Sequence, residues 1–284
     1  MSHPVVPEHR LMVHRLAERW RDKWEGAPSM SPGKTWRGSY AGKCARQIQH
    51  MIKGYEESNP TGLSGHWVMG LGSAMHELLG PSIQAWASES TIEIFEELGI
   101  ELGDNGYGHA DIVLKTDSKK VLFELKTING FGYKKSVIDG EGPRHQALLQ
   151  AALYAEAIEA DLMVIGYIGM EHVGPGIAKK ANLDDIGKFA SEWHYTPDEF
   201  LPLAKAERER LEEIAKVVMG YGEVPRTFSV SDPDIPYPAE ITGPASGAWR
   251  LLAEDGSLLN AGKTWACGYC NWQDKCVKNM ADGR

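Results

Sequence analysis

Between Thr91 and Met170 the hydrophobic pattern changes period twice, and this change limits the architectures open to the chain. Thr91–Glu101, Tyr107–Thr116 and Lys120–Ile128 are short runs rich in β-forming residues. Gly-Asp-Asn-Gly and Asp-Ser-Lys-Lys turns separate them, which predicts three hairpin-connected strands. His145–Ala160 then takes up helical spacing, and Leu162–Met170 is a compact apolar run of the kind found in a buried strand. Strands followed by a helix and a further strand predict an α/β core with mixed strand directions.

Helical spacing also predicts helices over Glu8–Trp24, Tyr40–Tyr55 and His66–Ala87, the last ending near Pro81 or just beyond. A charged helix is expected over Thr196–Met219, and the proline-rich stretch Val224–Pro244 reads as an extended connection. With 284 residues, 42% of them hydrophobic, the chain can bury a substantial core. No repeat is visible, so one domain is expected: a helical part (1–90), a core (91–200) and a C-terminal part (201–284). The apolar stretch Ala147–Met170 is broken by Glu156, Glu159 and Asp161, short of the about 20 apolar residues of a membrane span. With no secretory signal at the N-terminus, a cytoplasmic location is expected.

Chemistry concentrates in Gly108-His-Ala-Asp111 and, after a hairpin, Phe123-Glu-Leu-Lys-Thr127. Residues two apart on a strand share a face, so Glu124 and Lys126 point together and Phe123 and Leu125 point away. Alternation on the preceding strand turns Ala110, Ile112 and Leu114 inward, and antiparallel pairing can set Asp111 beside Glu124. Two carboxylates form a hard-cation site suited to Mg²⁺ or Mn²⁺, with the Lys126 ammonium available to orient water or offset developing charge. Such a constellation suits phosphodiester hydrolysis. His76 is a polar residue in an otherwise apolar helix, Met-Gly-Leu-Gly-Ser-Ala-Met-His-Glu-Leu-Leu, and an acidic site gives it a ligand role. Gln150 and Tyr154 lie four apart and share one helix face.

In order, a helical His76, Gly108 with Asp111, Glu124 with Lys126, and Gln150 with Tyr154 resemble the RecB-like branch of the PD-(D/E)XK nucleases. The resemblance implies a restriction-endonuclease-like core: a mixed central sheet flanked by helices, with an N-terminal helical region and a C-terminal iron-sulfur segment. It implies metal binding by His76, Asp111, Glu124 and the backbone carbonyl of Leu125. It also implies a catalytic Lys126, with Gln150 and Tyr154 lining the site. The implied activity is a Mg²⁺- or Mn²⁺-dependent DNA exonuclease or end-processing nuclease acting on single strands or frayed ends in recombination or repair.

Four cysteines in a reducing compartment point to metal ligation more than to disulfides. Cys267-Gly-Tyr-Cys270, five residues and then Cys276 lie at the C-terminus, while Cys44 stands far upstream. Four thiolates hold zinc or an iron-sulfur cluster, and ligation alone does not separate the two. One cysteine before the core and three after it are similar to the iron-sulfur staple of the fourth CRISPR-associated nuclease and of AddB-type nuclease domains, which implies a 4Fe-4S cluster. Its expected role is to tie the two ends of the chain together.

The net charge of -9 opposes long-range attraction to a polyanion, so DNA contact must be local. Lys43, Arg46 and Lys53 are the candidates, with Trp36, Tyr40, Tyr269 and Trp272 either stacking unpaired bases or shielding the cluster. Gly-Lys-Thr-Trp occurs twice, but Pro28 and Ser257 stand where a phosphate-binding loop needs its first glycine. Any unwinding therefore requires a separate helicase. Two other readings stay open from sequence: a nuclease-fold module without catalysis, and a zinc-stapled structural or regulatory protein.

Overall fold

A computed structural model describes residues 35–88, 92–222, 240–242, 250–252 and 270–272. The helix expected over Glu8–Trp24, Cys267, Tyr269, Cys276 and most of the proline-rich connection lie outside these residues. In chain order the elements are β1 (Trp36–Arg37), α1 (Ala45–Lys53), α2 (Leu63–Ser88), β2 (Glu93–Leu102), β3 (Gly106–Lys115) and β4 (Lys120–Ile128). There follow α3 (Gly130–Tyr133), α4 (His145–Ala157), β5 (Leu162–Gly169), α5 (Pro175–Lys180), β6 (Ala190–Tyr195) and α6 (Pro197–Met219), with a β7–β8 hairpin (Glu240–Thr242, Arg250–Leu252) beyond. Strands β1 to β6 form one mixed sheet flanked by helices.

β3 is the hub of that sheet. β2 pairs antiparallel along its whole length, from Glu93↔Lys115 to Leu102↔Gly106. The opposite edge is divided: β1 runs parallel at Gly106 and Tyr107, whereas β4 runs antiparallel only from Ile112 to Lys115. The segment Gly108–Asp111 therefore lies where that edge is open, between two partners. β4 continues into a parallel pairing with β5, which joins β6 antiparallel.

Both faces of the sheet are covered, so alternation on β3 is weaker than expected: Ala110, Ile112 and Val113 are all buried, and Leu114 is half-buried. α4 packs its small residues Ala151, Ala152 and Ala155 with Leu149 and Leu153 in the core, and α6 adds Phe200, Ala204 and Leu211. The alanines let helix and sheet approach closely while the larger side chains fill the layer. α6 begins at a capping box, in which the Thr196 backbone N–H and hydroxyl both donate to Glu199, with Pro197 in the first turn.

Two helices depart from the sequence expectation. α2 runs through Pro81 to Ser88 rather than ending near it, and α4 stops at Ala157, where Ala160 N–H bonds back to the Ala155 carbonyl. The sequence-derived reading also missed β1, α5 and β6. β1 is two residues long, and β6, Ala-Ser-Glu-Trp-His-Tyr, is a half-exposed edge strand without an apolar run. Among the described residues, no helix is long and apolar enough to cross a membrane.

Candidate metal centre

The site forms where β3 and β4 part. Continuing their ladder one step past Ile112↔Phe123 would pair Asp111 with Glu124, but regular pairing stops at Ile112. Asp111 instead accepts a hydrogen bond from the Leu125 backbone N–H at 2.9 Å through Oδ2. Its carboxylate is thus fixed by the strand that carries the other two motif residues.

Glu124 and Lys126 share a face of β4, as the period of two requires. Lys126 Nζ donates to Glu124 Oε1 at 2.6 Å and lies 4.0 Å from Asp111 Oδ2. Glu124 is completely buried, and its Oε2 has no hydrogen-bond partner among the described residues. Burial, with Asp111 and Glu97 nearby, pushes its carboxyl up to about 7 against the opposing pull of Lys126. Burial also acts to lower the Lys126 value, but Glu124 and Asp111 outweigh it and hold the ammonium above its ordinary range. One half-buried cation stands between two carboxylates.

α2 crosses β4 at Gly72, where an added Cβ would come within 3.3 Å of Thr127 Oγ1. One turn later the helix delivers His76, whose Nδ1 lies 3.8 Å from Glu97 Oε1 on β2. His76, Glu97 and Asp111 each offer a ligand atom within 4.8 Å of the others. Glu124 is not in that set; it is held by Lys126.

Glu97 escaped the sequence-derived reading. The signal is visible only with the register in hand. Neighbouring pairs Glu96↔Ile112 and Leu98↔Ala110 bracket it, which sets it across from Asp111 and on the same face. A run of Glu-Glu-Leu in a strand otherwise reads as solvent-facing charge.

Gln150 and Tyr154 meet as expected, with Gln150 Nε2 donating to the Tyr154 hydroxyl at 3.2 Å. Tyr154 is buried, and its ring fills the space left by Gly108 on β3 and by Gly38 after β1. A Cβ at either glycine would run into that ring. Burial foremost, and then the charge of Glu124, hold the phenol above its ordinary range, so it is a neutral donor beside the acids. The glycine of the Gly-x-x-Asp motif and the tyrosine of the helix are therefore one packing unit.

Cys44 stands at the N-cap position of α1, with no side-chain capping hydrogen bond. The loop before it is anchored by α6: Gly42 N–H donates to Glu207 Oε1 at 2.8 Å, and Arg210 donates to the Lys43 carbonyl at 3.2 Å. Cys270 is close enough for its sulfur to act on the Lys43 ammonium, which burial holds below its ordinary value. The tail residues after it dock beyond α1, with Asn59 N–H donating to the Asn271 carbonyl at 2.8 Å and Trp272 Nε1 to the Tyr55 carbonyl at 3.0 Å. The Trp272 ring also lies 5.8 Å from that of His50.

Trp36, Tyr40 and Trp272 are all buried, so the base-stacking option for these three gives way to packing. Of the candidate DNA-binding cations, Lys43 and Arg46 are half-buried and Lys53 lies 5.9 Å over the Tyr55 ring. Lys134 and Lys135 are paired with Asp139 and Glu141.

No protein-family description and no curated protein sequence matches the chain. Among solved structures the chain is similar to an alkaline exonuclease from Laribacter hongkongensis, at 14% identity over 72% of this chain and 95% of that one, with a TM-score of 0.43. It is similar to a phage-related exonuclease from Haemophilus somnus at 10% identity, over 62% of this chain and 81% of that one, with a TM-score of 0.41. The protein SSO0001 gives 15% identity over 76% of this chain and 90% of that one, with a TM-score of 0.44.

Proposed function

We propose that the protein is a divalent-metal-dependent DNA nuclease that shortens single-stranded or frayed ends. The observation that carries this reading is the fork of β3 and β4, where Asp111, Glu124 and Lys126 converge with His76 reaching in from α2. The donor set suits a hard to borderline cation, and the unpartnered buried Oε2 of Glu124 leaves a ligand position within the protein. His76, Asp111, Glu124 and the Leu125 carbonyl would hold Mg²⁺ or Mn²⁺. When bound, such an ion supplies Lewis-acid polarisation of the phosphate and a nucleophile at neutral pH.

The remaining work falls to the chain itself. Lys126, kept charged by its two carboxylates, is placed to offset negative charge that develops on the phosphate. Asp111 is prevented from turning away by the Leu125 N–H. Tyr154 and Gln150 present a neutral hydroxyl and an amide at the back of the fork, suited to orienting a phosphate or a water.

End-labelled single-stranded DNA, incubated with Mg²⁺ or Mn²⁺, should be shortened from one end. Asp111→Ala and Lys126→Ala should abolish this while the circular dichroism spectrum stays unchanged. Undiminished cleavage by either variant would remove this centre from the reaction. Labelling each end in turn gives the polarity.

The cysteines are read as ligands of a structural 4Fe-4S cluster. Supporting this, the loop before Cys44 is clamped by α6 and Cys270 faces the same Lys43. Protein purified without oxygen should be brown and contain iron and acid-labile sulfide, and Cys267→Ala should lose the colour and solubility together. Colourless protein carrying zinc would replace the cluster with a zinc staple.

A further inference from the structure

We infer that Glu97 is a metal ligand, joining His76 and Asp111 on the outer side of the same centre. The inference rests on the nuclease reading for its purpose but not for its geometry. His76, Glu97 and Asp111 present ligand atoms within 4.8 Å of one another from α2, β2 and β3, three successive elements that fold back on one another. One nitrogen and two carboxylates form a borderline donor set that favours Mn²⁺ over Mg²⁺.

Two further observations bear on the same place. Lys126 covers Oε1 of Glu124 at 2.6 Å, and of the three outer groups it reaches only Asp111, at 4.0 Å, so His76 and Glu97 have no lysine or arginine paired with them among the described residues. Beside them, the fully buried Glu124 leaves Oε2 without a partner, and the charge of Glu97 reaches this carboxyl. The outer carboxylates lie next to an oxygen that has no hydrogen-bond partner among the described residues.

The backbone is consistent with this. Glu97 has a φ of +48° in the middle of a strand, outside any turn. For a residue with a Cβ this conformation is strained and persists where the surroundings require it. The side chain that it aims toward Asp111 gains only a 3.8 Å approach to His76 in return among the described residues. A ligand role accounts for both the backbone and the poor pairing.

The test measures metal, not cleavage. Mn²⁺ binding to the full chain, without DNA, is followed by loss of the free-ion signal in electron paramagnetic resonance. Glu97→Gln should weaken binding at least about tenfold or remove one ion per chain. Glu97→Gly should do the same while melting at a higher temperature, because glycine accepts positive φ without strain. Wild-type affinity and stoichiometry in both variants would overturn the inference. If Mn²⁺ binding depends on Glu97 but no nucleic acid is cleaved, the nuclease reading fails and the metal site stands. If cleavage is normal and Mn²⁺ binding ignores Glu97, the reverse holds.

Discussion

Two halves of one site share Asp111 and are built on opposite terms. In the inner half Glu124 has no exposed surface and its partner Lys126 stands 2.6 Å away. In the outer half His76 and Glu97 keep 30% and 65% of their side chains exposed and stand 3.8 Å apart. The buried carboxylate has lost its hydration and must be compensated inside the protein. The exposed pair is screened by water and can be left incomplete until a ligand arrives. Burial decides which charges are tied down and which are left available.

Removing Lys126 is the sharpest way to break this contrast. Lys126→Met should lose about 3–5 kcal/mol of unfolding free energy in urea at pH 8, because it leaves Glu124 buried and unpaired. Equal losses in Lys126→Met and in the exposed Glu97→Gln would show that burial does not separate the halves. Next in size is a pH dependence. The folded-state Glu124 carboxyl sits at about 7 against an ordinary 4.5, so its proton is held more tightly in the folded chain. That stability is fully present below 4.5 and is lost as the pH rises through about 7. Without divalent cations, unfolding free energy should therefore fall by about 2 kcal/mol between roughly pH 5 and pH 8. Glu124→Gln should flatten the slope, and an unchanged slope would assign the titration elsewhere.

Gly108→Ala tests the floor beneath both halves. Its Cβ meets the Tyr154 ring, and the loss should be about 1–3 kcal/mol by thermal or urea unfolding. Combined with Tyr154→Ala the two losses should be less than additive; strict additivity would mean that ring and glycine do not share the strain. Smallest of all, Glu97→Gln should stay within about 0.5 kcal/mol of the wild type in metal-free buffer.

The residues of the inner half were legible in the sequence, and of the outer half only Glu97 was not, for a physical reason. Glu124 and Lys126 are two residues apart, so strand geometry alone puts them together, and hairpin spacing brings Asp111 beside them. The same local rules located β2 to β5, α4 and α6 to within a few residues. His76 drew notice because a polar side chain interrupts an apolar stretch of helix. Glu97 meets Asp111 across the β2–β3 hairpin but meets His76 only through the packing of α2 on the sheet, and its acidic neighbours disguise it. Pro81 misled because proline's intrinsic preference is to end a helix, whereas α2 continues through it to Ser88. Trp36 and Tyr40 read equally well as exposed platforms or as core until burial distinguished them.

The ring of Tyr154, seated against Gly38 and Gly108, also bears on how such a chain can change over time. Three positions far apart in sequence occupy one small volume, so a side chain gained at either glycine requires a smaller group at 154. None can drift alone. Part of what resembles a chemical signature in this sequence is therefore a record of space, inherited as a set, and it would persist in a descendant that had lost every charge at the site.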